Sequence, residues 1–151
     1  MEKKQLAAAA ASLVQDSVVT EGLQFVEISV SPENLVKVVS ALKFNRETAL
    51  DLLVSLTGMD WGTDLGIVYH LRSTEFNHML VVKTRVSDRE NPEIDSLCPV
   101  YKSAEFHERE VYDLLGIKFT DHPDLRRLFL DSTWGFPLRK DYKDDINILG
   151  K

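Results

Sequence analysis

The chain has one cysteine, no long hydrophobic run and none of the short motifs that bind nucleotides. Cys98 alone cannot form an intramolecular disulfide, and one thiolate cannot by itself hold an iron–sulfur cluster or a zinc ion. Dinucleotide-binding, P-loop and nucleophile-elbow motifs are missing from the sequence. No apolar stretch approaches the roughly 20 residues that cross a bilayer. These absences disfavour autonomous redox or nucleotide-dependent catalysis, and membrane contact is expected only through partners.

Basic residues are also in short supply. The 151 residues include 18 Lys and Arg against 24 Asp and Glu, which gives a net charge of −6. Proteins that bind nucleic acid in general need a cationic surplus on the binding face, so no nucleic-acid partner is predicted. A hydrophobic content of 44% with 28% charged residues is typical of a globular chain with a sizeable core.

Two amphipathic helices are predicted in the first third of the chain. The start, "MEKKQLAAAAASLVQDS", has lysines before an alanine run, but Ala is a strong helix former and only weakly hydrophobic. We therefore interpret it as a retained helix and not as a signal peptide. Its apolar stripe consists of Leu6, Ala10, Leu13 and Val14. A second helix is predicted after Ser31 as N-cap, with Pro32 at the first helical position.

The strand signals predict a mainly antiparallel sheet. Residues 23–30 alternate as a strand, and a short helical turn after residue 46 precedes a strand that runs through Leu56. Residues 64–73 and 78–87 should pair as a hairpin around a four-residue tip. The polar stretch 87–97 is predicted to be a linker that leaves the sheet.

These elements predict an α+β fold in which helices pack on one face of a mixed, mainly antiparallel sheet. A short helix over Ala104–Leu115, ended by Gly116, should follow, and then an extended C-terminal tail. We accordingly divide the chain into an α+β domain over residues 1–118 and a partner-binding tail over residues 119–151.

The predicted helix 104–115 carries many charges. Glu105 and Asp113 each lie four residues from Arg109, so both carboxylates could hold its guanidinium. Exposed pairs of this kind contribute only about 0.3–0.5 kcal/mol each. At a buried contact, an unpaired charge would cost several kcal/mol, and the same pairs would fix an orientation.

A catalytic or metal site is one interpretation of the same region. It would use His107, Glu108, Asp121 and His122 as acid/base groups or ligands. The segment "HEREV" is not H-E-x-x-H, because Val111 stands where the second histidine is needed. The alternative is that these histidines are structural or interfacial.

The tail combines arginines with aromatic rings on a chain that prolines prevent from becoming helical. Arg, Trp and Tyr are enriched at the energetic centres of protein interfaces. A merely solvated loop is the alternative. We predict that the tail lies along a partner, where arginine forks meet carboxylates or main-chain carbonyls and Trp134 or Phe136 fills a pocket.

Two blocks, "EREVYDLLGIKFTDHPDLRRLFL" and "PLRKDY", resemble the signature of the 30 kDa subunit, also called the C subunit, of the proton-pumping NADH–quinone oxidoreductase, respiratory complex I. The matching positions are Glu108, Arg109, Glu110, Asp113, Gly116, His122, Pro123, Leu125, Arg126, Arg127, Pro137, Leu138, Arg139, Lys140 and Asp141. The resemblance implies a non-catalytic subunit of the hydrophilic arm. It also implies that NADH, FMN, iron–sulfur clusters and quinone are bound by other chains of the complex and that this chain binds no cofactor or metal.

The resemblance further implies that the chain packs chiefly on the D subunit of the complex and lies near the B and I subunits. It would be peripheral, on the cytoplasmic face of the cell inner membrane. The expected partner-binding residues are Glu108, Arg109, Glu110, Asp113, His122, Pro123, Arg126, Arg127, Trp134, Pro137, Arg139, Lys140 and Asp141. Three alternatives remain open. These are the equivalent subunit of a related hydrogenase or of an oxidoreductase using ferredoxin or another donor, an independent enzyme using His107, Glu108 and His122, and a free adaptor domain.

Overall fold

The computed structural model of the chain describes residues 3–14, 17–131 and 133–143. Its elements are α1 (Lys3–Leu13), β1 (Val18–Glu21), β2 (Val26–Ser29), α2 (Leu35–Phe44), β3 (Leu52–Asp60), β4 (Leu65–Arg72), β5 (Met79–Val86), β6 (Glu93–Asp95), α3 (Ala104–Leu115) and β7 (Lys118–Thr120). A five-stranded sheet has the strand order β1-β2-β5-β4-β3, and β6 pairs with β7 in a second sheet.

The large sheet is mixed and mostly antiparallel, which confirms the predicted fold class. Neighbouring strands pair antiparallel except β2 and β5, which run parallel. A parallel pair requires a crossover connection, and α2 together with β3 and β4 lies in the chain between these two strands. The predicted hairpin of β4 and β5 is confirmed, with Leu65 opposite Val86 and Arg72 opposite Met79.

The hydrophobic core lies between one face of the sheet and the helices. Alternate residues of β4 point into it, and Leu65, Ile67, Tyr69 and Leu71 are fully buried. The apolar stripes of α1 and α2 supply the other side of the core. The buried members of those stripes are Leu6, Ala10, Val14, Leu35, Val38, Val39 and Leu42.

Three boundaries differ from the prediction. The segment 23–30 is not one strand, because residues 22–25 form a bend between β1 and β2, which pair as a hairpin. The third strand runs on to Asp60 and not only through Leu56, since antiparallel pairing with β4 continues to that residue. Pro32 begins a 3-10 turn, and the α-helix starts only at Leu35.

The stretch 87–97 is not simply a linker. It contains β6, which pairs in parallel with β7 and places Ile94 opposite Phe119. Both side chains are buried in the main core. The small sheet therefore joins the chain on either side of α3, and pairing over such a distance leaves no local sequence pattern to reveal it.

The C-terminal part has α3 where the sequence predicts it, with Gly116 in the left-handed conformation at φ 76°. Beyond Thr120 the described residues form turns and irregular segments, and residues 144–151 of the predicted tail lie outside the described part. No helix in the described ranges is long and apolar enough to cross a membrane.

Candidate docking site around helix α3

Helix α3 packs on β3 through a stripe of buried residues and one glycine. Ala104, Val111 and Leu115 face the core. A methyl group at Gly58 would come within 2.4 Å of a Leu115 Cδ atom, so the helix can approach the strand closely only because this position lacks a side chain. Because this face of α3 is packed against β3, the tail can contact only the other faces of the helix.

Glu108 ties α3 to the segment that follows β6. Its carboxylate accepts hydrogen bonds from the Ser96 hydroxyl at 2.6 Å and from the Leu97 backbone N–H at 2.8 Å. The Cys98 thiol donates to the same carboxylate at 3.3 Å. Burial raises the pKa of Glu108, while these hydrogen bonds oppose the rise. The carboxyl group is therefore already used for packing inside the molecule.

His122 closes the same cluster from the tail side, and its side chain is fully buried. The Asp124 backbone N–H donates to Nδ1 at 2.9 Å, so Nδ1 is an acceptor. Nε2 must then carry the proton of a neutral ring, which it donates to the Glu105 carbonyl at 3.1 Å. Nε2 also lies 3.8 Å from Oε1 of Glu108.

A metal ion at this cluster would have to break existing hydrogen bonds. The possible ligand atoms of Cys98, Glu108 and His122 lie within 4.8 Å of one another. Burial outweighs the hydrogen bond with Ser96 and raises the pKa of the Cys98 thiol to about 11. Nε2 of His122 carries a proton in the tautomer described above, so neither atom is free to bind a metal ion without losing its proton. The donor set therefore fits a hydrogen-bonded cluster better than a metal site.

The predicted catalytic set is divided by the fold. Glu108 and His122 meet, whereas His107 lines a groove between α3 and β3 together with Ser55 and Leu138. Asp121 is an exposed residue after β7 with a positive φ of 60°. These four residues do not converge on one open site, which argues against the arrangement that an acid/base enzyme would need.

Asp113 is the anchor for the first half of the tail. Its fully buried carboxylate accepts a hydrogen bond from Nε of Arg127 at 2.6 Å on one oxygen. The backbone N–H groups of Phe129 and Leu130 donate to the other oxygen at 2.7 and 3.1 Å. Burial by itself would raise the pKa of Asp113, but these donors outweigh it and the pKa is lowered.

The predicted double pairing of Arg109 is wrong. Its guanidinium donates instead to the main-chain carbonyls of Arg126 and Arg127, each at 3.2 Å. Asp113 is engaged by Arg127, and in the described part of the chain no ion pair joins Arg109 to Glu105. The tail lies over this face of the helix, and its carbonyls displace the pairing that an isolated helix would form.

The second half of the tail turns around the C-terminal end of α3. The backbone N–H of Leu138 donates to the Leu114 carbonyl at 3.0 Å, and Nε of Arg139 donates to the Leu115 carbonyl at 2.7 Å. These bonds satisfy carbonyls that a helix end leaves without partners. The ring of Phe136 lies 5.3 Å from the Arg127 guanidinium and 5.2 Å from that of Arg139.

Asp60, at the end of β3, holds the last described turn. Nη1 and Nη2 of Arg89 each donate a hydrogen bond to one carboxylate oxygen of Asp60, at 2.7 and 2.9 Å. The Lys140 backbone N–H donates to one of these oxygens at 2.9 Å. The Arg89 hydrogen bond is the largest influence and holds the pKa of Asp60 well below its usual range. Sequence reasoning missed this pair, because residues 29 apart, one at the end of a strand and one in an irregular stretch, give no periodic signal.

The predicted partner-binding residues therefore fall into two groups. One group is engaged inside the molecule and consists of Glu108, Arg109, Asp113, His122, Arg127 and Arg139. The other is exposed and consists of Glu110, Pro123, Arg126, Lys140 and Asp141, with Trp134 and Pro137 half-buried. Partner binding by either group stays a prediction, but only the second presents its side chains directly.

Comparisons with known proteins agree with the signature. Residues 28–146 match the family described as "Respiratory-chain NADH dehydrogenase, 30 Kd subunit". The chain is 54% identical over 110 residues to the C/D subunit of NADH-quinone oxidoreductase from Phocaeicola vulgatus, a match covering 72% of this chain and 21% of that protein. It is 35% identical over 134 residues to the C subunit of the Neisseria meningitidis oxidoreductase, covering 82% and 68% of the two chains.

One solved structure shows the same fold in another assembly. A chain of the membrane-bound sulfane sulfur reductase, an archaeal respiratory membrane complex, superposes with a TM-score of 0.80 at 22% identity, covering 93% of this chain and 85% of that one. The chain spans about a fifth of the length of the C/D proteins it matches. From its signature, its fold and the matched range, this chain belongs to the 30 kDa subunit family of the respiratory-chain NADH dehydrogenase.

Proposed function

We propose that the chain is a non-catalytic structural subunit in the hydrophilic arm of a proton-translocating NADH–quinone oxidoreductase. In this role it docks chiefly on the D subunit, lies near the B and I subunits, and supports electron transfer from NADH to quinone by holding its neighbours in place. It binds no flavin, cluster, quinone or metal itself. It is peripheral, at the cytoplasmic face of the inner membrane, and reaches the membrane only through its partners.

The proposal rests mainly on relatives whose names combine the C and D subunits. Proteins of Phocaeicola vulgatus and Bacteroides thetaiotaomicron that are 54% and 48% identical over the matched segments are each named as a C/D subunit. One polypeptide that contains both parts keeps them at a high effective concentration. Such a fusion is favoured when the two parts are neighbours in the assembly, and it supports the D subunit as the main partner.

The chemistry around α3 supports a structural role. The buried acid and base groups, Glu108, Asp113 and His122, are each held by hydrogen bonds from the chain itself. A general acid or base has to reach the reacting group of a substrate. Since these three groups are bonded within the chain instead, they orient the tail on α3. The chain therefore presents a surface of fixed shape to its neighbours.

The alternative of a related complex can be weighed on two counts. The sulfane sulfur reductase chain shares the fold, so the fold alone does not select the electron donor. Sequence identity is higher to NADH–quinone oxidoreductase proteins, for example 40% over 115 residues to the C subunit from Streptomyces coelicolor. We therefore favour an NADH–quinone oxidoreductase as the parent complex.

The direct test is affinity purification of the tagged chain from native membranes. We expect the D, B and I subunits to be recovered with it, and we expect loss of the chain to remove membrane NADH–quinone activity by preventing assembly. Recovery of the chain alone beside an intact, active complex would contradict the proposal. Tightly bound stoichiometric metal in the pure chain, together with turnover that His122→Ala abolishes, would favour the independent enzyme instead.

A further inference from the structure

We propose that the surface through which the chain binds the D subunit is the outward side of α3, and that its arginine-rich tail mainly shapes this surface. We call this surface the α3 patch and define it by Phe106, Glu110, Leu138 and the groove between α3 and β3 that His107 lines. The proposal rests on the proposed function and adds the site and its recognition chemistry. It predicts that the partner presents a basic side chain beside an apolar one.

The geometry of α3 leaves one side open. Its core face packs on the sheet at Gly58, and the opposite flank carries the tail, which Arg109 and Asp113 hold. Phe106 and Glu110 are four residues apart and share the remaining side, because residues at this spacing lie one above the other on a helix. Both side chains are exposed.

The open side is apolar at both ends. Phe106 is 60% exposed, and Leu138, which the tail places beside the end of the helix, is 61% exposed. A groove of about 300 Å³ lies beside Leu138 and is lined by residues 55–58 of β3, Glu110, Leu114 and Leu138. Large apolar side chains clustered beside a groove are typical of protein interaction sites.

Glu110 gives the patch its charge. In the part of the chain that the structure describes, its carboxylate forms no ion pair and accepts no hydrogen bond. The two buried acids of the same helix, Glu108 and Asp113, are by contrast fully engaged. A carboxylate beside exposed apolar groups is complementary to a basic side chain set among apolar ones, and among the basic residues it is Arg that is enriched at interfaces.

The patch includes Glu110 and Leu138 of the signature but not its arginines. The Arg127 guanidinium donates to the Asp113 carboxylate and to three main-chain carbonyls, and Nε of Arg139 donates to the Leu115 carbonyl, so both side chains already hold the tail on α3. Their substitution should disturb docking indirectly, by moving Leu138. Substitution of Phe106 or Glu110 should disturb docking while the folded chain stays intact.

The first experiment places a photo-crosslinking phenylalanine analogue at Phe106 in the full chain, expressed in cells that assemble the complex. Phe44, which is 74% exposed on α2, is the matched control position. Irradiation of native membranes should crosslink position 106 to the D subunit and leave position 44 without that product. The proposal would be overturned by a crosslink to the D subunit from position 44 and none from position 106, or by a crosslink from position 106 to a different subunit.

The second experiment reverses the charge. Glu110→Lys should lower recovery of the D subunit with the tagged chain on the order of tenfold, because like charges then face each other. Glu75→Lys, at the exposed tip of the β4–β5 hairpin, makes the same change elsewhere and should recover the D subunit as the wild type does. An unchanged thermal unfolding temperature for Glu110→Lys confirms that the chain remains folded.

The outcomes separate the two proposals. Normal recovery of the D subunit with Glu110→Lys, when the wild type also recovers it, would overturn the α3 patch and leave the proposed function standing. If the wild-type chain recovers no D subunit, both proposals are wrong. Equal losses with Glu110→Lys and Glu75→Lys would indicate a general charge effect and would also overturn the patch.

Discussion

The most informative single substitution is Asp113→Asn, because one carboxylate holds the tail by a charged pair and two backbone donors. The change keeps the shape of the side chain and removes its charge. It leaves the Arg127 guanidinium without its counter-ion and turns one of the two acceptor oxygens into an amide donor facing the backbone N–H groups of Phe129 and Leu130 or Arg127 itself.

The expected loss can be sized from these contacts. Breaking a buried ion pair by neutralising one partner costs about 3–5 kcal/mol. The Arg127 side chain keeps some contact with water, since it is 20% exposed, so we take the lower end, about 3 kcal/mol. That loss is a change of roughly a hundredfold in the unfolding equilibrium constant, since about 1.4 kcal/mol corresponds to a factor of ten.

Urea unfolding of the purified full chain, followed by circular dichroism, would measure the change. Hydrogen exchange at the amides of Phe129 and Leu130 would show whether the loss begins in the tail, where we expect protection to fall first. The control is Asp124→Asn, which removes the carboxylate of the exposed pair with Arg126 and should leave the unfolding midpoint unchanged. Equal midpoints for the two variants, with unchanged amide protection, would refute the reasoning.

Two further predictions concern titratable groups. The pKa of Asp60 is lowered below its ordinary value of 3.8, chiefly by the Arg89 hydrogen bond. The Asp60 carboxylate is therefore protonated more readily in the unfolded chain than in the folded one. The stability that this carboxylate contributes is present above about pH 4 and is lost as the pH falls below that value. Urea titrations between about pH 6 and 2.5 should therefore show a steeper loss for the wild type than for Asp60→Asn, and parallel curves would contradict the pairing. Burial raises the pKa of the Cys98 thiol to about 11, so at about pH 8 the native chain should react with a disulfide reagent far more slowly than the urea-unfolded chain, and equal rates would show that the thiol is not held against Glu108.

Local sequence patterns were sufficient for the helices, apart from the start of α2, and for the main hairpin. Helix α3 ends at Leu115 as predicted, because Gly116 adopts the left-handed conformation that commonly terminates helices, at no steric cost. The alternation in β4 and β5 specifies both strands and their exposed tip. The family signature lies in residues 108–141, so membership was also readable from the sequence.

The tertiary structure alone decided which charged residues face each other. The sequence shows Arg109 four residues from Glu105 and Asp113, yet the folded tail supplies carbonyls to Arg109 and gives Asp113 to Arg127. The pairing of Asp60 with Arg89 and that of β6 with β7 likewise join distant segments. Periodicity reports only a residue's near neighbours along the chain, whereas a buried charge is satisfied by whichever donor the fold brings within reach.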